Sequence, residues 1–289
     1  MSGEPLMRKA SALSRFVASG VAAGVLLCGC GQPPPSSATT PTVQATASKR
    51  YVARGDAPPQ LVAGTVYRNP ASGRDEVVIP DISRTALLIG DSQSEPVIGW
   101  PRLGLAAVGY KVHFCGLGGT GFVASNGATG NYIDALQRGD WKLPYGTPPL
   151  IVIQGGGNDA GKGATDTQIV ANADRLIAAL NKRYPGVRKI LIGTLGRGVD
   201  YGGGRRSEVD ALLGTVAARH GMPFVGVGDW LTRYGLTQNL MDAVHMNASG
   251  HRSLGTVLEG RLRELGITAP PDEGAATLAV AKQIVSVPE

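Results

Sequence analysis

Short apolar runs alternate with segments of helical periodicity from residue 84 onward, and this alternation constrains the fold more than any other feature of the chain. The clearest helical segment is Asp166–Arg183, where Thr165 and Gln168 have the types and the spacing of an amino-terminal capping box. Strands that alternate with helices favour a parallel sheet covered by helices on both faces. We therefore predict an α/β domain over residues 84–270, with five parallel strands near residues 86–89, 111–115, 150–153, 189–192 and 223–227 and further helices near residues 207–220 and 247–265.

Residues 1–29 have the features of a signal peptide rather than of a folded segment. Arg8, Lys9 and Arg15 form a basic region, and an apolar run of 12 residues follows over residues 16–27. Such a run is short for a membrane span and typical of the apolar region of an export signal. The sequence therefore predicts that the protein is exported.

The end of this segment resembles a bacterial lipobox, with Leu27, Gly29 and Cys30 in the positions of its leucine, its glycine and its lipidated cysteine. Cys28 is the poorer candidate, because the bulky Leu27 would precede it. We predict a lipid-anchored lipoprotein, and the alternative is an ordinary secretory signal cleaved nearby. With Cys28 removed and Cys30 acylated, only Cys115 remains, so no intramolecular disulfide is expected.

The other flanking segments carry less information. Residues 30–48 are rich in Pro, Ser and Thr and are expected to form an extended tether. Residues 49–83 are interpreted as an amino-terminal extension in which residues 77–80 could form a short edge strand. Residues 271–289 are interpreted as a carboxy-terminal tail with a possible short helix over residues 275–285.

The net charge is +6, and about +4 of it lies beyond the signal segment. The sequence has no dense run of Lys and Arg among aromatic residues. Nucleic-acid binding is therefore not expected.

Polar and glycine-rich sequences follow four of the predicted elements. The first three strands end in Gly90-Asp91-Ser92, in residues 116–121 and in residues 154–159, and Asp242-Ala-Val-His245 follows the fifth strand. Because the carboxyl ends of parallel strands meet at one edge of a sheet, these four blocks are expected to converge. Together they supply a nucleophile, an orienting carboxylate and a base in the order Ser92, Asp242, His245. Taken singly, each of these residues is more often a turn or helix-cap residue.

The four blocks resemble those of the SGNH, or GDSL-type, hydrolases, and the resemblance covers roughly residues 84–268. Met246 departs from the pattern, because the family often has proline at that position, and no Gly-x-Ser-x-Gly elbow surrounds Ser92. The resemblance implies a flavodoxin-like three-layer α/β/α fold with Ser92, Asp242 and His245 as catalytic residues. It also implies an oxyanion hole formed by the backbone N–H groups of Ser92 and Gly119 and the side-chain amide of Asn158, with Gly118 as the alternative to Gly119.

Three other histidines and two nucleotide-binding patterns compete with this interpretation. His113 and His220 are expected to be structural. His251 lies in the predicted helix after His245 and is expected to support the catalytic residues without contacting the substrate. Residues 116–121 fit Gly-x-Gly-x-x-Gly, but no convincing helix follows them, and residues 156–163 resemble a P-loop that has Gly163 where Ser or Thr must bind Mg²⁺. No His/Cys/Asp cluster has metal-ligand spacing. We therefore expect neither a cofactor nor a metal.

The sequence thus predicts an exported serine esterase that hydrolyses an acyl ester of a cell-envelope glycan, a lipid or a small molecule through an acyl-enzyme. One alternative is an O-acyltransferase that uses the same acyl-enzyme. The other is a catalytically idle envelope-binding lipoprotein. The expected partners are the ester substrate and, through the lipid anchor, the membrane; the sequence leaves the oligomeric state open.

Overall fold

The computed structural model describes residues 61–271. The predicted signal peptide with Cys30, the tether and the possible helix over residues 275–285 lie outside the described residues. The first described elements are strands β1 (Val66–Asn69) and β2 (Arg74–Val77), which pair as an antiparallel hairpin. Five further strands then form one parallel sheet: β3 (Thr85–Gly90), β4 (Lys111–Gly116), β5 (Leu150–Gln154), β6 (Arg188–Ile192) and β7 (Phe224–Val225).

The strand order in the parallel sheet is β4-β3-β5-β6-β7. Counted within the sheet this is the order 2-1-3-4-5, the flavodoxin-like arrangement in which the chain changes direction between the first and third strands. The predicted three-layer α/β/α fold is therefore confirmed. The carboxyl ends of β3 and β5, which are hydrogen-bonded neighbours, lead directly into Ser92 and Asn158.

Helices cover both faces of the sheet, and side chains alternate between two apolar cores because neighbouring residues of a strand point to opposite faces. Leu87, Ile89 and Ile153 pack in one core, and Leu88 and Val152 in the other. The helices on the first face are α2 (Tyr132–Arg138), α4 (Asp166–Arg183) and α5 (Gly204–Arg219), and those on the second are α1 (Trp100–Ala107), α6 (Trp230–Arg233) and α7 (Ala248–Glu264). One further α-helix, α3 (Gly157–Gly161), is a single short turn after β5. None of the helices within residues 61–271 combines the length and the apolar character needed to cross a membrane.

The predicted elements differ from the structure mainly at their ends. Helix α4 has the predicted bounds, and its capping box between Thr165 and Gln168 is present. The fifth strand is shorter than predicted and contains only Phe224 and Val225. Helices α1 and α2 were not predicted, because two turns of helix leave too little periodicity to recognise in the sequence.

The amino-terminal hairpin packs beside the loop that precedes β5. An edge strand was expected over residues 77–80, but the strand ends at Val77, which exchanges backbone hydrogen bonds with Leu143 and Tyr145. The buried Glu76 carboxylate accepts hydrogen bonds from the Arg183 guanidinium at 2.5 Å and from the Asn69 amide at 2.8 Å. A buried carboxylate is tolerated when it is paired in this way, so the hairpin is held to α4 by a satisfied ion pair.

Candidate active site

Ser92 lies in a tight turn immediately after β3 and is half-buried. The backbone N–H groups of Ser94 and Glu95 both donate to the Asp91 carbonyl at 2.9 Å, and the Asp91 carboxylate accepts the Gln93 N–H at 3.0 Å. Asp91 is buried, and this desolvation raises its pKa to about 6. A Cβ atom at Gly90 would lie 2.6 Å from Ser94 Oγ, so the turn requires glycine there. These contacts fix the backbone that carries the Ser92 hydroxyl.

His245 and Asp242 lie on the loop before α7, and the fold brings them to Ser92. His245 Nε2 is 3.0 Å from Ser92 Oγ, and His245 Nδ1 is 2.7 Å from the Asp242 carboxylate. The other carboxylate oxygen of Asp242 accepts the backbone N–H groups of Val244 and His245 at 2.7 Å each. These hydrogen bonds hold the pKa of Asp242 well below its usual range. Asp242 therefore stays ionised at neutral pH and fixes the orientation of the imidazole.

Two backbone N–H groups near Ser92 are free to bind a ligand. Within residues 61–271, the N–H groups of Ser92 and Gly119 have no hydrogen-bond acceptor. The N–H of Gly118, in contrast, donates to the Glu95 carboxylate at 2.8 Å. Gly119 has a φ of +78°, a conformation that favours glycine. Of the two glycines considered for an oxyanion hole, Gly119 is thus the one whose N–H is available.

The Asn158 side chain also reaches this region. Its Nδ2 donates to the Thr120 carbonyl at 2.9 Å, which leaves the second hydrogen of the amide for another acceptor. Asn158 belongs to α3, so its position depends on the short helical turn that follows β5. The structure thus joins Ser92, His245 and Asp242 by hydrogen bonds. The loop that carries Gly119 passes beside Ser92 at Gly118, and Asn158 is bonded to the same loop.

Asp159 supports this arrangement from a buried position that the sequence did not reveal. Its carboxylate accepts the N–H groups of three consecutive residues of the loop after β4, at distances from 2.7 to 2.9 Å: Phe122, Val123 and Ala124. A Cβ atom at Gly121 would lie 2.4 Å from the same carboxylate, so only glycine allows the loop to approach. Asp159 therefore joins the loop that carries Gly119 to the turn that carries Asn158.

Gln93 is a second contributor that sequence reasoning missed. Its Nε2 donates to the Val244 carbonyl at 2.8 Å, and its Oε1 accepts the Trp100 indole N–H at 3.1 Å. The Trp100 backbone N–H in turn donates to His251 Nδ1 at 3.2 Å. Gln93 thus connects the turn of Ser92 with the loop of His245. His251 does not contact Ser92 but supports this connection through Trp100, in the supporting position that the sequence predicts.

The two remaining histidines lie elsewhere. His113 Nε2 is 3.0 Å from the Lys142 carbonyl, and His220 Nε2 is 2.7 Å from the Asp174 carboxylate on α4. In the part of the chain that the structure describes, no group of three His, Cys, Asp or Glu side chains is placed to hold a metal ion. The glycine-rich residues 116–121 lead into a loop, and the next helix begins only at Tyr132.

Comparisons with known proteins identify the family of the chain. The model of the GDSL-like Lipase/Acylhydrolase family matches residues 88–253, more than half of the chain. A search of the curated proteins finds no match.

Solved structures with a similar fold include several esterases. An active site mutant of a family two carbohydrate esterase from Clostridium thermocellum is 16% identical, with a TM-score of 0.50 and 67% of each chain covered. An acetylxylan esterase from Geobacillus stearothermophilus is 14% identical, with a TM-score of 0.49, and covers 65% of this chain and 97% of its own. An aryl esterase from M. smegmatis is 17% identical, with a TM-score of 0.46, and covers 63% of this chain and 99% of its own. At sequence identities this low, structural similarity is evidence for the fold alone. The carbohydrate esterase structure supports the three-layer arrangement of this chain.

Proposed function

The chain belongs to the GDSL-like lipase/acylhydrolase family, and we propose that it hydrolyses an acyl ester with Ser92 as the nucleophile, His245 as the base and Asp242 as the orienting carboxylate. Membership makes it a hydrolase of the esterase and acylhydrolase class. The observation that carries the assignment of residues is the continuous line of hydrogen bonds from Ser92 Oγ through both nitrogens of His245 to Asp242. A serine hydroxyl becomes a useful nucleophile only when a neighbouring base can accept its proton.

The first half of the proposed reaction forms an acyl-enzyme. Ser92 Oγ attacks the ester carbonyl carbon while His245 Nε2 accepts the hydroxyl proton, and the carbonyl oxygen becomes an oxyanion. Asp242 stabilises the imidazolium that results. The tetrahedral intermediate then collapses, the bond to the alcohol oxygen breaks, and the alcohol leaves with the proton from His245.

The second half releases the acid. A water molecule gives a proton to His245 and attacks the acyl carbon of Ser92. The new tetrahedral intermediate breaks its bond to Ser92 Oγ, which recovers the proton from His245. In both halves the oxyanion would accept hydrogen bonds from the Ser92 and Gly119 N–H groups and from the Asn158 amide. Preorganised donors of this kind lower the barrier because they need no reorganisation when charge develops.

The proposed substrate is an acyl ester of a cell-envelope glycan, a lipid or a small molecule. This proposal is supported by the predicted export signal and by the lipobox-like sequence that ends at Cys30, which would hold the enzyme at the outer side of a bacterial membrane. The candidate tether over residues 30–48 would let the domain reach substrates in the surrounding envelope.

A serine-directed fluorophosphonate tests the proposed nucleophile directly. The probe phosphonylates a serine only when a base activates it, so we expect one labelled site, located at Ser92 by mass spectrometry of the digested protein. Heat-denatured protein serves as the control, because unfolding separates Ser92 from His245. Labelling at another serine, or none in the folded protein, would refute the assignment of Ser92.

Lipidation of Cys30 is tested in a bacterial host that expresses the full chain. Metabolic labelling with a fatty-acid analogue is expected to mark the protein, and Cys30→Ala is expected to abolish the label because acylation requires the thiol. Cys28→Ala is the matched control and should keep the label. Label that persists in Cys30→Ala, or a native protein found only in the medium, would count against the lipid anchor.

A further inference from the structure

A cavity of about 250 Å³ lies beside the loop that carries His245. Its wall includes Ala243 and Val244, the two residues between Asp242 and His245. Across the cavity lie residues from the loop after β6 and from the start of α5, including Leu195, Arg197 and Arg206. Pockets for whole drug-sized ligands are usually larger, roughly 300–1,000 Å³. This cavity therefore has the size for one part of a substrate whose ester lies at Ser92.

The charges that line the cavity have one sign. Two guanidinium groups, those of Arg197 and Arg206, contribute to its wall, and no carboxylate does so among the described residues. Within residues 61–271, Arg197 has no ion pair or hydrogen bond, and its side chain is exposed. Its five N–H donors are thus available to a ligand.

Arg206 is held rigidly and joins the cavity to the Asn158 turn. Its Nε donates to the Leu195 carbonyl at 2.9 Å, and one terminal nitrogen donates to the Gly157 carbonyl at 3.3 Å. A Cβ atom at Gly157 would lie 2.7 Å from the guanidinium, so the group is pressed flat against the residue that precedes Asn158. Arg206 forms no ion pair among the described residues, and the buried Asp91 carboxylate acts on it only through space. Arg206 is therefore a fixed cation between the oxyanion residues and the cavity.

We propose that this cavity, lined by Arg197 and Arg206, binds an anionic group, a carboxylate or a phosphate, carried by the acyl part or the alcohol part of the substrate. The proposal rests on the proposed esterase function and narrows its substrate class. An anion in the cavity would form an ion pair with Arg197 and be attracted by the fixed positive charge of Arg206. The ester carbonyl would at the same time lie between Ser92 and Asn158. Guanidinium groups suit this task because their forked donors match the oxygens of carboxylate and phosphate.

Matched ester pairs test the proposal. The acyl arm compares the nitrophenyl monoester of glutaric acid with its neutral methyl ester, and the alcohol arm compares the acetate esters of hydroxybenzoic acid and hydroxybenzamide. A charge-assisted hydrogen bond to an arginine strengthens substrate binding by enough to change kcat/KM about tenfold. We therefore expect the anionic member of at least one pair to have a kcat/KM about tenfold higher than its neutral partner. The preference should fall as ionic strength rises, because salt screens a partly exposed charge.

Variants of Arg197 assign the preference to the cavity. Arg197→Gln should reduce the ratio of anionic to neutral kcat/KM to near unity, and Arg197→Lys should restore part of it. Arg175→Gln removes the same charge from the outer surface of α4 and should leave the ratio unchanged. Equal kcat/KM values for both members of both pairs would overturn the anionic subsite while leaving the esterase function intact. A preference that survives in Arg197→Gln would also overturn it, whereas no hydrolysis of any ester would overturn the proposed function itself.

Discussion

Ser92→Ala is expected to lower kcat for ester hydrolysis by roughly 10⁴-fold or more, because the variant has no nucleophile to form the acyl-enzyme. The effect on folding should be small. Ser92 is half-buried, and its hydroxyl makes its hydrogen bond to His245, a side chain that is itself open to solvent. Steady-state kinetics with a nitrophenyl ester, combined with urea unfolding followed by circular dichroism, measures both quantities on the same preparation.

Ser94→Ala is the matched control for this prediction. Ser94 lies in the same turn, but its hydroxyl is buried and 2.6 Å from the Gln154 side chain. Its removal should lower the free energy of unfolding by about 1 kcal/mol and leave most of the turnover. If Ser92→Ala retained near-wild-type kcat, or if Ser94→Ala were equally inactive, Ser92 would not be the nucleophile.

The positions of the candidate catalytic residues could be predicted because each follows a recognisable element. The apolar runs before Ser92 and Asn158 are buried strands, and parallel strands bring their carboxyl ends to one edge whatever the details of packing. Asp242 and His245 could be placed because they follow the predicted fifth strand and precede the predicted helix near residues 247–265, which the structure shows as α7. The family resemblance then assigned a role to each position, which geometry alone would not have done.

The residues that hold the site in place could not be predicted, because their partners are far away in the sequence. Gln93 bonds to Val244 across 151 positions, and Asp159 binds a loop more than 30 positions before it. Neither contact leaves a local periodicity or spacing that a single sequence displays. The cavity lined by Arg197 and Arg206 could not be predicted either, because its walls come from the loop after β6 and the loop of His245, which are distant in the sequence.

Short elements were missed for a different reason. Helix α2 has seven residues and is recognisable mainly by its cap, in which the Asn131 side chain accepts the Asp134 N–H at 3.0 Å. An asparagine in a loop has many other uses, so the cap becomes informative only once the helix is known. Strand β7, in contrast, was predicted near residues 223–227, and only its length was wrong, because the strand contains just two residues.

Asn158→Ala is expected to lower kcat by roughly 10²–10³-fold and to change KM little, because a donor to the oxyanion acts mainly in the transition state. In the free enzyme the Asn158 amide already donates one hydrogen to the Thr120 carbonyl, so the ground state keeps the amide aimed toward the Gly119 loop. The second hydrogen then meets the oxyanion without reorganisation. Kinetics across a series of ester concentrations separates kcat from KM and so distinguishes a transition-state donor from a substrate-binding group.

Asn172→Ala is the matched control, since it separates oxyanion stabilisation from simple loop support. Asn172 on α4 donates to the Phe122 carbonyl at 2.8 Å, so it makes the same kind of bond to the same loop at a position that the proposed oxyanion does not reach. We expect Asn172→Ala to lower the stability of the loop and to keep most of kcat. If both variants lose kcat equally, Asn158 acts by holding the loop that carries Gly119. An Asn158→Ala enzyme with normal kcat and a raised KM would instead show that the amide binds substrate, and the oxyanion would then depend on the N–H groups of Ser92 and Gly119 alone.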